Sequence, residues 1–335
     1  MKRLSPLQIT LFVGGLLLFV YTVYALGGSS VELIKNEFSW GYMWLYLMVS
    51  VVSFAFIVWR WKAILDGYGA VVGFWPLLRI QLAGFAVSFV TPSARYGGEP
   101  LRIYMLKKDH EIDYKTGTVS VILDKYIEYL GAVVFGVIGL ILLLFAPSMP
   151  NNIKWVLFAL LAISVVGMTF IYHRFIAEKG FFYPLFNLFL SEKRIAKMSN
   201  TLKDVDAKMS HFMIHQKKAF FLSFMFYILS AITFITEFQF LLLSIGVSTT
   251  FLERILMTIV VGVAGLIPSP MALGSMEAGQ AGLFKIIKGN AGIGIFLSLA
   301  EKVKMILISA VGFIIIMLSG GKNLMKDADS ENAKK

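Results

Sequence analysis

The chain has 335 residues, of which 58% are hydrophobic and 15% charged, against roughly 45–50% and about 25% in a typical soluble domain. So apolar a surface needs an apolar solvent, which excludes a cytosolic enzyme, a disordered chain, a collagen-like fibre and a disulfide-stapled secreted domain, and leaves an integral membrane protein. With no cysteine there is no disulfide, thiolate metal site or cysteine nucleophile, and the net charge of +11 is a topology signal and an attraction to anionic head groups rather than a sign of nucleic-acid binding.

The first apolar run, residues 7–26, follows Lys2 and Arg3. It is long enough to cross a bilayer at about 1.5 Å per residue, and no small-x-small cleavage site follows it, so it reads as a retained helix rather than a signal peptide. Further spans are predicted at 40–59, 116–146, 153–173, 219–246 and 291–319. Two other apolar stretches stop at proline: 75–90 at Thr91-Pro92, and 251–267 at Pro268-Ser269-Pro270. Each is followed by glycine, then glutamate, then a short apolar helix. Proline ends a helix and glycine lets the chain reverse, so both stretches read as re-entrant hairpins. Irregular backbone at membrane depth is tolerated only inside protein or beside a water-filled cavity.

Residues 175–218 form the one sizeable non-spanning piece. Within it Ile195, Met198, Leu202, Val205, Met209 and Phe212 recur at helical spacing among Lys and Asp, which predicts an amphipathic helix on the inner surface. The tail, 320–335, is polar. With the N-terminus inside, 21 of the 31 Lys and Arg fall in inner-side segments and 5 in outer-side segments, so both termini are expected in the cytoplasm.

The chain repeats itself at an offset near 178. Pro92 and Glu99 match Pro270 and Glu277, Lys107 matches Lys285, and Asp124-Lys125 matches Glu301-Lys302 one residue out of step. Repeat one covers about 40–146 and repeat two about 219–319. The charge flanks of the two hairpins are reversed, which makes the halves inverted, an arrangement used by many transporters. The predicted fold is thus an all-α integral membrane protein of one transmembrane domain, 1–335, with six spanning helices and two re-entrant helical hairpins in an inverted repeat.

Charges inside membrane segments are costly unless paired or hydrated, which makes them functional candidates. In the first hairpin these are Arg95, Glu99 and Arg102 around the Gly97-Gly98 turn. An arginine fork suits phosphate, and the free N–H groups of a glycine turn entering a helix add to an anion site. The alternative is an Arg95–Glu99 or Glu99–Arg102 ion pair that only locks the hairpin. The long fourth segment carries Asp124, Lys125 and Glu128, the first and last on one helical face. The final helix carries Glu301, Lys302 and Lys304, and Glu237 interrupts another span. These are candidates for coupling or charge pairing. The second hairpin offers Gly274 and Glu277 and has no arginine of its own. His211 and His215 are one turn apart, but no third ligand completes a metal site. No HExxH, GxSxG or Walker motif is present, so no cofactor or metal is expected.

The motifs Thr91-Pro92, Gly97-Gly98-Glu99-Pro100-Leu101-Arg102, Ile267-Pro268-Ser269-Pro270 and Leu273-Gly274-Ser275-Met276-Glu277 together resemble the flippase-like family named for the transmembrane region of lysylphosphatidylglycerol synthase. The resemblance runs over nearly the whole chain. It implies a polytopic lipid-handling protein of a bacterial or archaeal cytoplasmic membrane. The aminoacyl-transferring domain of the bifunctional synthases is not expected, since the chain reads to Lys335 soon after its last apolar helix. Members associated with polyprenyl-linked sugars make an isoprenoid phosphate a second cargo class beside phospholipid. One departure stands out: the usual glycine pair of the second motif is here Ala272-Leu273. The leading expectation is a flippase for a phosphate-bearing lipid, with anionic or phosphate-bearing membrane lipids as partners and no nucleic acid. The alternatives are a membrane transferase, for which no donor motif is found, and a non-transporting regulatory subunit.

Overall fold

A computed structural model of the chain describes residues 38–91, 97–144, 151–189, 192–267 and 269–319, together with Leu17, Phe19, Val20, Tyr21 and Tyr24. Most of the predicted first span, the Pro92 turn with Arg95, and the polar tail lie outside the described residues. Among those described, the regular elements are all helices: α1 (Trp40–Gly67), α2 (Phe74–Val90), α3 (Glu99–His110), α4 (Tyr114–Leu144), α5 (Asn151–Ile176), α6 (Phe182–Phe189), α7 (Glu192–His215), α8 (Lys217–Leu243), α9 (Phe251–Leu266), α10 (Ser275–Lys288) and α11 (Ala291–Leu318), with a short 3-10 turn, Pro270–Ala272, before α10.

Local chemistry explains the boundaries. At α9 the Thr250 hydroxyl accepts from the Glu253 N–H and the Glu253 carboxylate accepts from the Thr250 N–H, which satisfies two free donors of the first turn. α3 opens with Glu99 and Pro100 and closes with Lys107, Lys108 and His110, charges that suit the two ends of its dipole. α11 is capped by the Asn290 side chain, which accepts from the Gly292 N–H.

Four helices, α1, α4, α5 and α8, are long and apolar enough to cross a membrane. α11 has the length, with 28 residues, but Glu301, Lys302 and Lys304 interrupt it. α1 continues eight residues past the predicted end at Trp59, so Arg60 and Lys62 are helical and not loop cations as the charge count assumed. The physical reason is that Arg60 is paired inside the protein, which removes the cost of extending an apolar helix through it.

The polarity of the molecule is inside-out. Trp155, Ile163 and Val166 on α5 are each about 70% exposed, whereas Asp124, Glu277 and Glu301 are 0% exposed. Water would not tolerate this pattern, and a hydrocarbon solvent requires it.

α1 and α8 pack along one another and run antiparallel. The Ser39 N–H donates to Ser244 O at 2.7 Å, the Ser53 hydroxyl to Ser230 O at 3.3 Å, and Phe56 stacks on Phe226. α2 lies against α11, and α9 against α4. The helix starts at 40, 74, 99 and 114 recur at 217, 251, 275 and 291, that is, after 177, 177, 176 and 177 residues. One apolar core fills the space between α8, α9, α10 and α11 around Phe238, Phe284 and Leu297. A second fills the space between α1, α2, α3 and α4 around Trp61, Leu77 and Leu106.

α7 is the predicted amphipathic helix. Ile195, Leu202, Val205, Met209 and Phe212 are buried, while Met198 is exposed. Its Asp206 carboxylate accepts from the N–H groups of Phe181, Phe182 and Tyr183, each at 2.9 Å, and so caps α6.

Candidate functional site

Apart from Asp206, the buried charges among the described residues fall into two networks. In the first, Asp124 of α4 receives two arginines on its two oxygens. Arg60 Nε of α1 donates to Oδ1 at 2.7 Å, and an Arg102 terminal nitrogen of α3 donates to Oδ2 at 3.0 Å. Arg60 also reaches Glu128 at 3.2 Å. Lys125 lies 3.3 Å from Glu128 and 3.7 Å from Glu99. The Arg102 guanidinium sits 4.0 Å over the Trp61 ring, whose indole N–H donates to Ser120 at 3.2 Å. Arg102 Nε is buried without a hydrogen-bond partner. The expected Glu99–Arg102 pair is not the one formed: Glu99 turns to Lys125, and Arg102 turns to Asp124. The expected Arg95–Glu99 pair involves a residue outside those described.

Gly98 makes this geometry attainable. A Cβ at this position would overlap the backbone carbonyl of Gly84 on α2, so only glycine lets the two arms of the hairpin come this close. The Gly98 N–H is spent on the Ser88 hydroxyl at 2.8 Å. Gly97, beside it, is half-buried.

In the second network Glu277 of α10 takes Lys302 of α11 at 2.5 Å and accepts from the Gly274 N–H at 2.8 Å. Lys302 also donates to the carbonyls of Met271 and Ala272, at 3.2 and 3.4 Å. Those two residues hold φ of 59° and 49°, a region unfavourable to any residue with a Cβ. The missing glycine of the motif is therefore offset by an ammonium that gathers the turn's carbonyls and the adjoining acid. Gly274, at φ 79°, completes the turn. Deeper in the helices, Lys304 bridges Glu237 of α8 and Glu301, and Tyr46 of α1 donates its hydroxyl to Glu301 at 2.9 Å.

Asp124 and Glu301 are each the eleventh residue of their helices, and Lys125 and Lys302 each the twelfth. Arg60 and Glu237 are each the twenty-first. The pairs Glu99–Lys125 and Glu277–Lys302 thus occur once in each half.

Residues 7–320 match the family described as the lysylphosphatidylglycerol synthase TM region. The chain belongs to this family. As a member with several helices long and apolar enough to span, it is a multi-pass membrane protein of a lipid-related family. It is also 26% identical over 159 residues to a UPF0104 membrane protein of Methanothermobacter thermautotrophicus, over 47% of this chain and 45% of that protein. The match therefore spans about half the length of that relative. No solved structure matches.

Sequence reasoning missed two members of the networks, Arg60 and Tyr46. Arg60 was counted as a loop cation, although the offset that pairs Asp124 with Glu301 also pairs Arg60 with Glu237. Tyr46 carried no signal at all. Lys304 was a candidate for charge pairing, and it pairs with Glu237 and Glu301. His211 and His215 stack with centroids 4.7 Å apart. They border a separate cavity of about 470 Å³ between α6 and α7, lined also by Lys179, Tyr183, Lys203 and Asp206.

Proposed function

We propose that this member of the lysylphosphatidylglycerol synthase TM-region family moves a phosphate-bearing lipid, phospholipid or polyprenyl phosphate, across the cytoplasmic membrane, with both termini inside. The observation that carries the reading is the pair of buried charge networks at matching helix positions, enclosed by lipid-facing apolar surface. The innermost part of the first, Arg60–Asp124–Arg102, sums to +1, and that of the second, Glu237–Lys304–Glu301, to −1. Charges are held inside a membrane protein at a cost of several kcal/mol unless they pair or serve passage.

The repeated helix starts, together with the antiparallel run of α1 and α8, support an inverted repeat in which α2–α3 and α9–α10 are re-entrant hairpins entering from opposite sides. In this reading residues 7–26 and α11 complete six spans. The phosphate approaches the first network. Arg95 and Arg102 receive it, with the unpartnered Arg102 Nε as the available donor, and the turn at Gly97 and Gly98 brings it close to backbone. The acyl or prenyl tails remain in lipid. Gly274 and Glu277 shape the opposing turn, and Glu128 and Lys125 adjust the charge of the entry side.

Native mass spectrometry of the detergent-extracted protein tests this. A phosphate-bearing lipid should remain bound at a defined stoichiometry and be lost in Arg102→Met. Retention of neutral and phosphate-bearing lipids alike, unchanged by that substitution, would remove the phosphate from the account.

A further inference from the structure

We infer that Glu237 and Glu301 together hold one exchangeable proton, making the Glu237–Lys304–Glu301 cluster a proton-binding site in the protein interior. The inference stands on burial and charge at this cluster and does not depend on the lipid reading.

Glu237 and Glu301 are 1% and 0% exposed. Among the described residues one cation, Lys304, pairs with them, and it pairs with both. Two carboxylates against one ammonium leave an uncompensated negative charge in a site without solvent. Such a pair keeps a proton, because like charges sharing a site cannot both remain ionised. The remaining cation nearby, Lys302, is committed to Glu277 and to the carbonyls of Met271 and Ala272.

α1, α8 and α11 pack on the pair, and their donors favour one ionised carboxylate without supplying a second positive charge. From α1, the Tyr46 hydroxyl donates to Glu301 Oε1, and Ser50 faces Glu237. From α11, Lys304 donates to Glu237 and to Glu301 Oε1. Its ammonium lies 5.0 Å from the Tyr46 ring centroid and 5.7 Å from that of Phe234 on α8, contacts that favour the charged amine. Glu301 Oε2 is buried with no hydrogen-bond partner. The Lys304 ammonium lies 3.0 Å from it but already serves Glu237 and Glu301 Oε1, so this oxygen can still take a proton. A metal ion is disfavoured because the ammonium already occupies the space between the two carboxylates.

The first half supplies the control. Arg60 stands where Glu237 stands in the second, and it neutralises Asp124 directly. No proton is needed there. Glu277 has its own lysine and needs none either.

Infrared spectroscopy of the protein in lipid nanodiscs, titrated with pH and repeated in heavy water, tests the inference. At neutral pH the wild type should show the carbonyl band of one protonated carboxylic acid in an apolar site, shifted by deuterium and lost as pH rises. Glu237→Gln and Glu301→Gln should each abolish it, since the remaining glutamate then forms a neutral pair with Lys304. Glu277→Gln should retain it. If either of the first two variants does not fold, Tyr46→Phe, which removes a donor from Glu301, should move the pH at which the band disappears. Absence of the band from the wild type at neutral pH would overturn the inference. So would its persistence in both variants, its loss in Glu277→Gln alone, an unmoved titration in Tyr46→Phe, or a site filled by sodium, seen as stabilisation by sodium but not choline with no band.

Discussion

Arg60 and Glu237, 177 residues apart, are each the twenty-first residue of antiparallel helices, and each faces the acid at the eleventh position of its half's last helix. Arg60 meets Asp124 directly at 2.7 Å. Glu237 meets Glu301 only through Lys304. The same place in the fold therefore carries opposite charge in the two halves. This inversion gives the protein one interior region that favours an anion and one that favours a cation.

Asp124 is the hub of the first region, and its loss strands two arginines. Asp124→Asn should cost about 3–5 kcal/mol, the usual penalty for leaving a buried charge uncompensated. Thermal unfolding in nanodiscs measures this. Replacing Arg60 and Arg102 by Met together with Asp124→Leu should recover at least half of the loss, because no charge is then left buried. A single Asp124→Asn variant as stable as wild type would show that water reaches the network.

The two lysines at matching positions should differ in weight. Lys302 is buried and holds Glu277 together with two carbonyls of a turn with positive φ. Lys125 reaches a partly exposed Glu99 at 3.7 Å. Lys302→Met should destabilise by about 3–5 kcal/mol and Lys125→Met by about 1 kcal/mol or less. Hydrogen exchange at the Met271–Gly274 amides should accelerate in the first variant and not in the second. Equal effects would contradict the bridging role of Lys302.

Gly98→Ala should cost about 1–3 kcal/mol, since the added methyl meets the Gly84 carbonyl and α2 and α3 must part. Gly282→Ala in α10 is the comparison. Nothing stands within 4 Å of its added methyl, so stability should hold or rise by about 0.5–1 kcal/mol from helix propensity. Equal destabilisation of the two variants in thermal melts would reject close approach as the reason for Gly98.

The helices were largely legible from apolar runs and proline stops. α2 and α9 begin within one residue of their expected starts, and the helical spacing of Leu202, Val205 and Met209 marked the buried face of α7. Chain order alone did not give the pairing of charges. Arg102 lies three residues from Glu99 yet pairs with Asp124, 22 residues on, because α3 folds back against α4. Lys304 matches Ile127 at the repeat offset, so the repeat carried no hint of it. Tyr46 sits nearly two turns into an apolar helix, where a tyrosine is read as packing, and its hydrogen bond to Glu301 spans 255 residues.

The absence of cysteine allows a direct check of orientation. Cysteines placed at Ser148 and Ser248 should react with an impermeant reagent from outside, and those at Ser199 and Ser330 only after the inner face is opened. Reaction at Ser199 from outside would reverse the orientation and place α7 on the wrong surface for the proposal.

Transbilayer movement of lipid is the most direct test of the whole account. The purified protein is reconstituted into liposomes with a labelled phosphate-bearing lipid and, separately, a neutral one, and loss of label to an impermeant quencher is followed. The account predicts accelerated movement of the phosphate-bearing lipid without covalent change. It also predicts at least tenfold slowing in Arg102→Lys, whose ammonium does not reproduce the planar fork, in protein that remains folded. Movement no faster than in empty liposomes for either lipid, under a pH gradient of either sign, would contradict it.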